Sequence, residues 1–340
     1  MNNSLLKQIL NEYDQKRTKA ILEAEQRKKE LLEVNPKLSE IEKQLSNISI
    51  QAAKSILISE PKEKQKLLQN LKKQTNALLK EKTAFLKQLS KDSSYLNPHF
   101  ECKLCKDTGY IEKNVVSTMC NCLKQKIYDI AYNKSNIGNL ERENFSTFNS
   151  RLFSDKANKE LYKSEISPRE NILLLKEKSE NFINNFEDPN EKNLLFTGTT
   201  GSGKTFLTNC IANEILKQGK NVLYQTAPVM LDNIIDVKFG KENAKFDLID
   251  NILTADLLVI DDLGTENLNH LKASELFTII NTRLLNQNHK ITKTIISTNL
   301  TIDQLFETYS TRIGSRLVGS YRFLRFFGDD LRYKKCKKDA

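Results

Sequence analysis

The chain has 340 residues, 39% hydrophobic and 28% charged, and its 53 Lys and Arg against 43 Asp and Glu leave a net charge of +10 that favours a polyanionic partner without requiring one. One hydrophobic core seldom organises more than about 250 to 300 residues, so two or three folding units are expected. No run approaches the roughly 20 apolar residues of a membrane span, and residues 1–10 lack the basic start, apolar stretch and cleavage site of an export signal; a cytoplasmic protein with no membrane partner is expected.

Residues 1–95 read as helical. Between Leu5 and Leu89 there is no Gly, and the only prolines are Pro36 and Pro61, which divide the region into about three helices arranged as a hairpin or small bundle. From Lys62 to Leu89 a stripe through Leu71, Leu78, Phe85 and Leu86 lies among Lys and Glu. Such a stripe must be covered, either within a solvated helical arm or by a docked protein.

Residues 96–125 change character. Cys102-x-x-Cys105 and Cys120-x-Cys122 supply four of the six cysteines within 21 positions, and four thiolates suit structural zinc, tetrahedral with no open position. The one-residue spacing of the second pair leaves His99 as an alternative ligand, and an iron–sulfur cluster as an alternative centre. Cys336, in a basic tail, is expected to be unliganded. Residues 126–168 are expected to form a linker, with a helix over Ile127–Tyr132 and aromatic residues Phe145, Phe148 and Phe153 docked on the next domain.

From residue 169 to 340, helical stretches alternate with short apolar strands at Asn193–Thr197, Asn221–Gln225, Leu257–Ile260 and Thr294–Ser297, a pattern that predicts an α/β fold with a parallel sheet flanked by helices. The first strand runs into Gly198-Thr199-Thr200-Gly201-Ser202-Gly203-Lys204-Thr205, and a helix opens at Phe206. Strand before and helix after are the context a phosphate-binding loop requires: backbone N–H groups cradle the phosphates of ATP, Lys204 reaches the β and γ phosphates, and the Thr205 hydroxyl holds magnesium. Cys210, inside that helix, is expected only to pack.

The third strand ends in Asp261-Asp262, placing two carboxylates where ligands of open parallel sheets bind. Asp261 suits the magnesium role and Asp262 the residue that orients or deprotonates the attacking water, with Glu266 as its rival. The fourth strand delivers Asn299 to the same edge. Thr311-Arg312-Ile313-Gly314-Ser315-Arg316 then sets two arginines at i and i+4 on one helix face. One of them is expected to reach the γ phosphate of a neighbouring subunit, which implies self-association.

This succession of motifs, over about residues 140–335, resembles the AAA+ ATPases and, within them, the bacterial helicase loaders of the DnaC/DnaI type and the related IstB transposition helpers. The resemblance implies Lys204 and Thr205 as Walker A, Asp261 and Asp262 as Walker B, Asn299 as sensor 1, Arg316 as the arginine finger with Arg312 in reserve, and Arg332 in the place of sensor 2. It implies a single-stranded DNA contact within Thr226–Lys245, where Lys238, Phe239 and Lys241 offer charge and a stacking ring, and an amino-terminal module that binds the hexameric replicative DNA helicase. Three functions stay open: an ATP-hydrolysing helicase loader, a transposition helper, and an adaptor that binds ATP without hydrolysing it, the last because Asp stands at 262 where Glu is commoner.

Overall fold

Proline sets the breaks in the first quarter of the chain. Helix α1 (Asn3–Val34) stops before Pro36, and α2 (Pro36–Ile58) and α3 (Pro61–Gln88) each begin on a proline, the position where the missing N–H costs nothing. The structure, a computed structural model, describes residues 3–58, 61–113, 116–131, 142–240, 248–286 and 290–332; Tyr132, Lys241 and Cys336 lie outside them. Two compact units result, residues 10–117 and residues 1–9 with 118–340.

In the first unit α2 and α3 close on Leu38, Leu86 and Leu96, with Leu31, Leu32 and Phe85 at the margin. Glu42 joins all three helices, pairing with Lys28 of α1 and Lys82 of α3 at 2.5 Å each. The Arg27 guanidinium donates to the Tyr95 and Asn97 carbonyls, both at 3.1 Å, and so ties the segment after α3 back to α1. Next come the strands β1 (Tyr110–Lys113) and β2 (Val116–Met119), which form a two-stranded sheet.

The larger unit is built on five parallel strands in the order β4-β5-β6-β3-β7, namely β3 (Asn193–Gly198), β4 (Val222–Thr226), β5 (Leu257–Leu263), β6 (Lys293–Thr298) and β7 (Tyr321–Phe326). Alternation along each strand decides the faces. Leu195, Leu223, Leu258 and Ile296 point to one core, and Phe196, Tyr224, Val259 and Ile295 to the other. Helices α6 (Pro168–Asn184) and α7 (Lys204–Lys217) cover the second face; α8 (Ala227–Lys238), α9 (Leu248–Thr254), α10 (His270–Asn286) and α11 (Ile302–Ser320) cover the first. A one-turn helix, α5 (Lys159–Tyr162), lies in the segment before α6.

The four expected strands are present, each extended or shifted by one to three residues, and a fifth, β7, joins them without having been signalled by an apolar run. Its sequence Tyr-Arg-Phe-Leu-Arg-Phe interleaves two arginines with apolar residues; Tyr321 packs into one core and Leu324 and Phe326 into the other, with one arginine on each face of this edge strand. Residues 121–131 form one helix, α4 (Asn121–Ala131), packed on the sheet's other edge, with Tyr128 in the core of that unit. The Gln125 carboxamide accepts from the Val222 N–H at 2.8 Å and donates to the Val222 carbonyl at 3.1 Å. A side chain thus satisfies both backbone groups that an outer strand would otherwise pair.

Arg283 is a buried strut. Its guanidinium, 1% exposed, donates to the carbonyls of Ile252, Ala255 and Lys293 and to the Thr294 hydroxyl at 2.7 to 3.0 Å. It knits α9, α10 and β6 together, and burial lowers its pKa to about 10.

Candidate nucleotide site

The site lies at the carboxyl ends of β3, β5 and β6, where the chain leaves the sheet and connections diverge to opposite sides of β3. The loop after β3 needs glycine for steric reasons. A Cβ on Gly198, at φ +145, would meet the Phe326 carbonyl oxygen of β7 at 2.1 Å, and one on Gly201, at φ +71, would meet the Asp330 carboxylate at 1.9 Å. The β7 backbone and the segment after it therefore pack directly on the loop, and the Leu331 N–H donates to the Gly201 carbonyl at 3.1 Å. Thr199 and Thr200 are exposed; Ser202 is buried and its hydroxyl donates to the Thr199 carbonyl at 2.6 Å. Helix α7 has Gly203 as its N-cap and no side chain closing it, so its first N–H groups remain available to an anion. Phe153 lies against Gly203, and Phe206 contacts Phe148 at a ring separation of 6.3 Å.

Lys204 is buried, and its ammonium donates to the carbonyls of Gly198 and Thr199 at 2.6 and 2.9 Å and to Asn299 Oδ1 at 2.7 Å. Burial lowers its pKa to about 8; Asp262 and Asp261 oppose that shift and Arg332 adds to it. Thr205, exposed, places its hydroxyl 3.4 Å from Asp261 Oδ2. Asp261 is buried and accepts from the hydroxyls of Tyr224, at 2.7 Å, and Ser297. Asp262 is half-buried at φ +55, and its N–H donates to Ser297 Oγ at 3.1 Å. Burial and the neighbouring Asp261 raise its pKa, against the pull of Lys204 and Arg332, which makes it more basic than an ordinary aspartate.

The remaining expected residues fall at various distances from this centre. Glu266 is engaged elsewhere: it is buried, accepts from the Gly264 N–H at 2.9 Å and from the Tyr309 hydroxyl, and so is held as a loop brace. Arg312 and Arg316 are both exposed on the half of α11 beyond a break at Ser310, φ +77. Arg332 lies beside Asp330, 3.9 Å away. Lys238 pairs with Glu275 at 2.6 Å, which occupies one of the charges expected to meet DNA, while Phe239 is 67% exposed. The hydroxyls of Tyr224 and Ser297 carry no sequence signal, since both sit in strands whose composition reads as core.

Among the described residues, Cys102, Cys105, Cys120 and Cys122 bring their sulfurs within 4.8 Å of one another. Metal–sulfur bonds of about 2.3 Å put tetrahedral sulfurs about 3.8 Å apart, so the group fits a metal ion. Asp107 accepts from the N–H groups of Glu101 and Cys102 at 2.9 and 2.8 Å and shapes the first pair's turn. His99 is exposed and is not part of the group. Cys210 is buried, and burial pushes its thiol up to about 12, which suits packing. No helix among the described residues is long and apolar enough to cross a membrane.

Residues 175–338 match the family model of the IstB-like ATP binding proteins. The replicative helicase loader DnaC of Escherichia coli (strain K12) is 26% identical over 209 residues, covering 59% of this chain and 82% of that protein. An insertion sequence IS1162 ATP-binding protein of Pseudomonas fluorescens is 30% identical over 95 residues, 27% of this chain and 38% of that one. A crystal structure of the DnaC helicase loader is 22% identical, with 55% of this chain and 98% of that chain covered at a TM-score of 0.44.

Proposed function

We propose, from the premise that the domain over residues 175–338 is a DnaC/IstB-like ATP-binding domain of the AAA+ class, that this protein is an ATP-regulated loader of a replicative DNA helicase. The reading is carried by the meeting of Lys204, Asn299, Thr205 and Asp261 at one sheet edge, in a chain similar over 59% of its length to a helicase loader. The Lys204 ammonium would neutralise the β and γ phosphates, and Thr205 and Asp261 would hold magnesium, which when bound supplies further positive charge. Asp262, made more basic by burial, would orient or deprotonate the attacking water. Asn299 would fix the water or the γ phosphate. Arg316, with Arg312 in reserve, would reach a neighbouring subunit's γ phosphate.

The amino-terminal helices and the cysteine module would dock on the hexameric helicase. Zinc on the four thiolates would be structural, stabilising a segment too small to build its own core. Residues near Phe239 would touch single-stranded DNA. ATP binding and hydrolysis would bias the protein between holding and releasing the helicase.

The test is co-purification with the replicative helicase and zinc analysis of the complex. Lys204→Ala should lose ATP binding and keep helicase capture; a variant that binds and hydrolyses ATP as the parent does would show the site to be wrongly assigned. Similarity to the IS1162 protein supports a second reading, a transposition helper, and recovery of a transposase in place of a helicase would decide for it. ATP binding without phosphate release, with or without single-stranded DNA, would mark a non-hydrolysing adaptor.

A further inference from the structure

The Asp261 carboxylate is held from both neighbouring strands. Residue period 2 puts Tyr224 of β4, Asp261 of β5 and Ser297 of β6 on the sheet face covered by α7. From one side the Tyr224 hydroxyl donates to Oδ2 at 2.7 Å, and from the other the Ser297 hydroxyl donates to Oδ1. Thr205 of α7 comes within 3.4 Å of the same Oδ2. Tyr224 is 2% exposed, so its ring is a core residue by packing. A buried phenol must also find an acceptor. Backbone carbonyls would satisfy it; here the acceptor is a carboxylate at the mouth of the phosphate loop.

The geometry points to Tyr224 as a positioning residue for magnesium, holding the plane of the Asp261 carboxylate so that it faces the ion together with Thr205. This deepens the ATPase reading and rests on it. A carboxylate at a strand end can turn about its terminal torsion, which is broad. Donors fixed on both oxygens remove that freedom before an ion arrives, and ordering completed in advance appears as ion affinity. Hydrogen bonds from a neutral donor to an ionised acceptor are the stronger class.

Tyr224→Phe is the test, because it keeps the ring and removes only the hydroxyl. Binding of a fluorescent ATP analogue is titrated with magnesium and, separately, measured in EDTA. The expected result is a rise of about 5- to 20-fold in half-saturating magnesium, on the scale of one lost charge-assisted hydrogen bond, with metal-free nucleotide affinity unchanged. Ser297→Ala, titrated alongside, should move magnesium dependence in the same direction. A variant that is merely less stable, with the parent's magnesium dependence, overturns the proposal, as does unchanged half-saturation in both variants. If the parent protein shows no magnesium-dependent nucleotide binding, the ATPase reading falls and this role falls with it; magnesium dependence in the parent with none of the expected shift removes the Tyr224 role alone.

Discussion

Lys204 and Asn299, 95 positions apart in the chain, are hydrogen-bonded to each other at 2.7 Å. The lysine of the phosphate loop and the asparagine at the end of β6 therefore address the same point in space, and any group that enters between them meets both.

Separate substitutions should divide binding from turnover. Lys204→Ala removes the one buried ammonium of the loop and should weaken ATP binding by at least 10²-fold, on the scale of an interaction worth about 3 kcal/mol. Asn299→Ala should leave affinity within a few-fold and lower phosphate release by roughly 10² to 10³. Equilibrium binding and single-turnover phosphate release distinguish the two, and equal losses in both assays for Asn299→Ala would contradict the assignment.

Among the described residues, Arg312 and Arg316 make no hydrogen bond or ion pair and both are exposed. If one of them acts on a neighbour's nucleotide, Arg316→Ala should bind ATP normally and lose hydrolysis by on the order of 10³. Mixing it with Lys204→Ala should restore part of the activity, because the lysine variant supplies an intact arginine to the other's intact site. No recovery on mixing, or normal hydrolysis by both single arginine variants, would rule out action in trans.

Gln125 takes the place of a strand at the β4 edge, so its removal should be felt by the larger unit as a whole. Gln125→Ala removes two hydrogen bonds to the Val222 backbone and should cost about 1 to 3 kcal/mol of stability, read by denaturant unfolding, with faster amide exchange at Val222. Cys120 and Cys122 flank the first residue of the same helix. Removing a bound metal with a chelator should therefore raise exchange through residues 121–128 before the sheet unfolds.

Glu42 makes the helical unit acid-sensitive. Burial alone would raise its pKa, but hydrogen bonds and charge from Lys28 and Lys82 outweigh that and hold it below its ordinary value of 4.5. Its folded pKa is the lower one, so the stabilisation is present above about 4.5 and is lost as pH falls through the folded value. Glu42→Gln should flatten that part of the stability profile of residues 10–117, and an unchanged profile would show the pairing to be too solvated to count.

Arg283→Met should be the most destabilising of these changes, by about 3 to 5 kcal/mol, because it strands several buried carbonyls and a hydroxyl at once. Thermal unfolding with and without nucleotide measures it; a loss under about 1 kcal/mol would mean that the vacated carbonyls find other donors.

The parts of this protein that are legible in its sequence are those written in local spacing. Proline positions mark the helix breaks, apolar runs of strand length mark four of the five strands of the larger sheet, and the glycine, lysine and threonine of the phosphate loop stand next to one another with strand before and helix after. Asp261 and Asn299 can be placed because each follows an apolar run of strand length, and parallel strands deliver such positions to one edge. Strand β7 escapes such a reading because its arginines, set among aromatics, read as surface.

Pairings between distant residues are decided only by tertiary structure. Tyr224 is an ordinary strand residue until β4 lies in register beside β5 and its hydroxyl meets Asp261. Glu266 is a candidate base until Tyr309, 43 positions away, occupies it, and Lys238 a free charge until α10 brings Glu275 to it. The physical reason is the same in each case. Sequence periodicity says which face a side chain takes, but a hydrogen bond depends on which other face the fold places opposite, and that is settled by packing of the whole sheet and its helices.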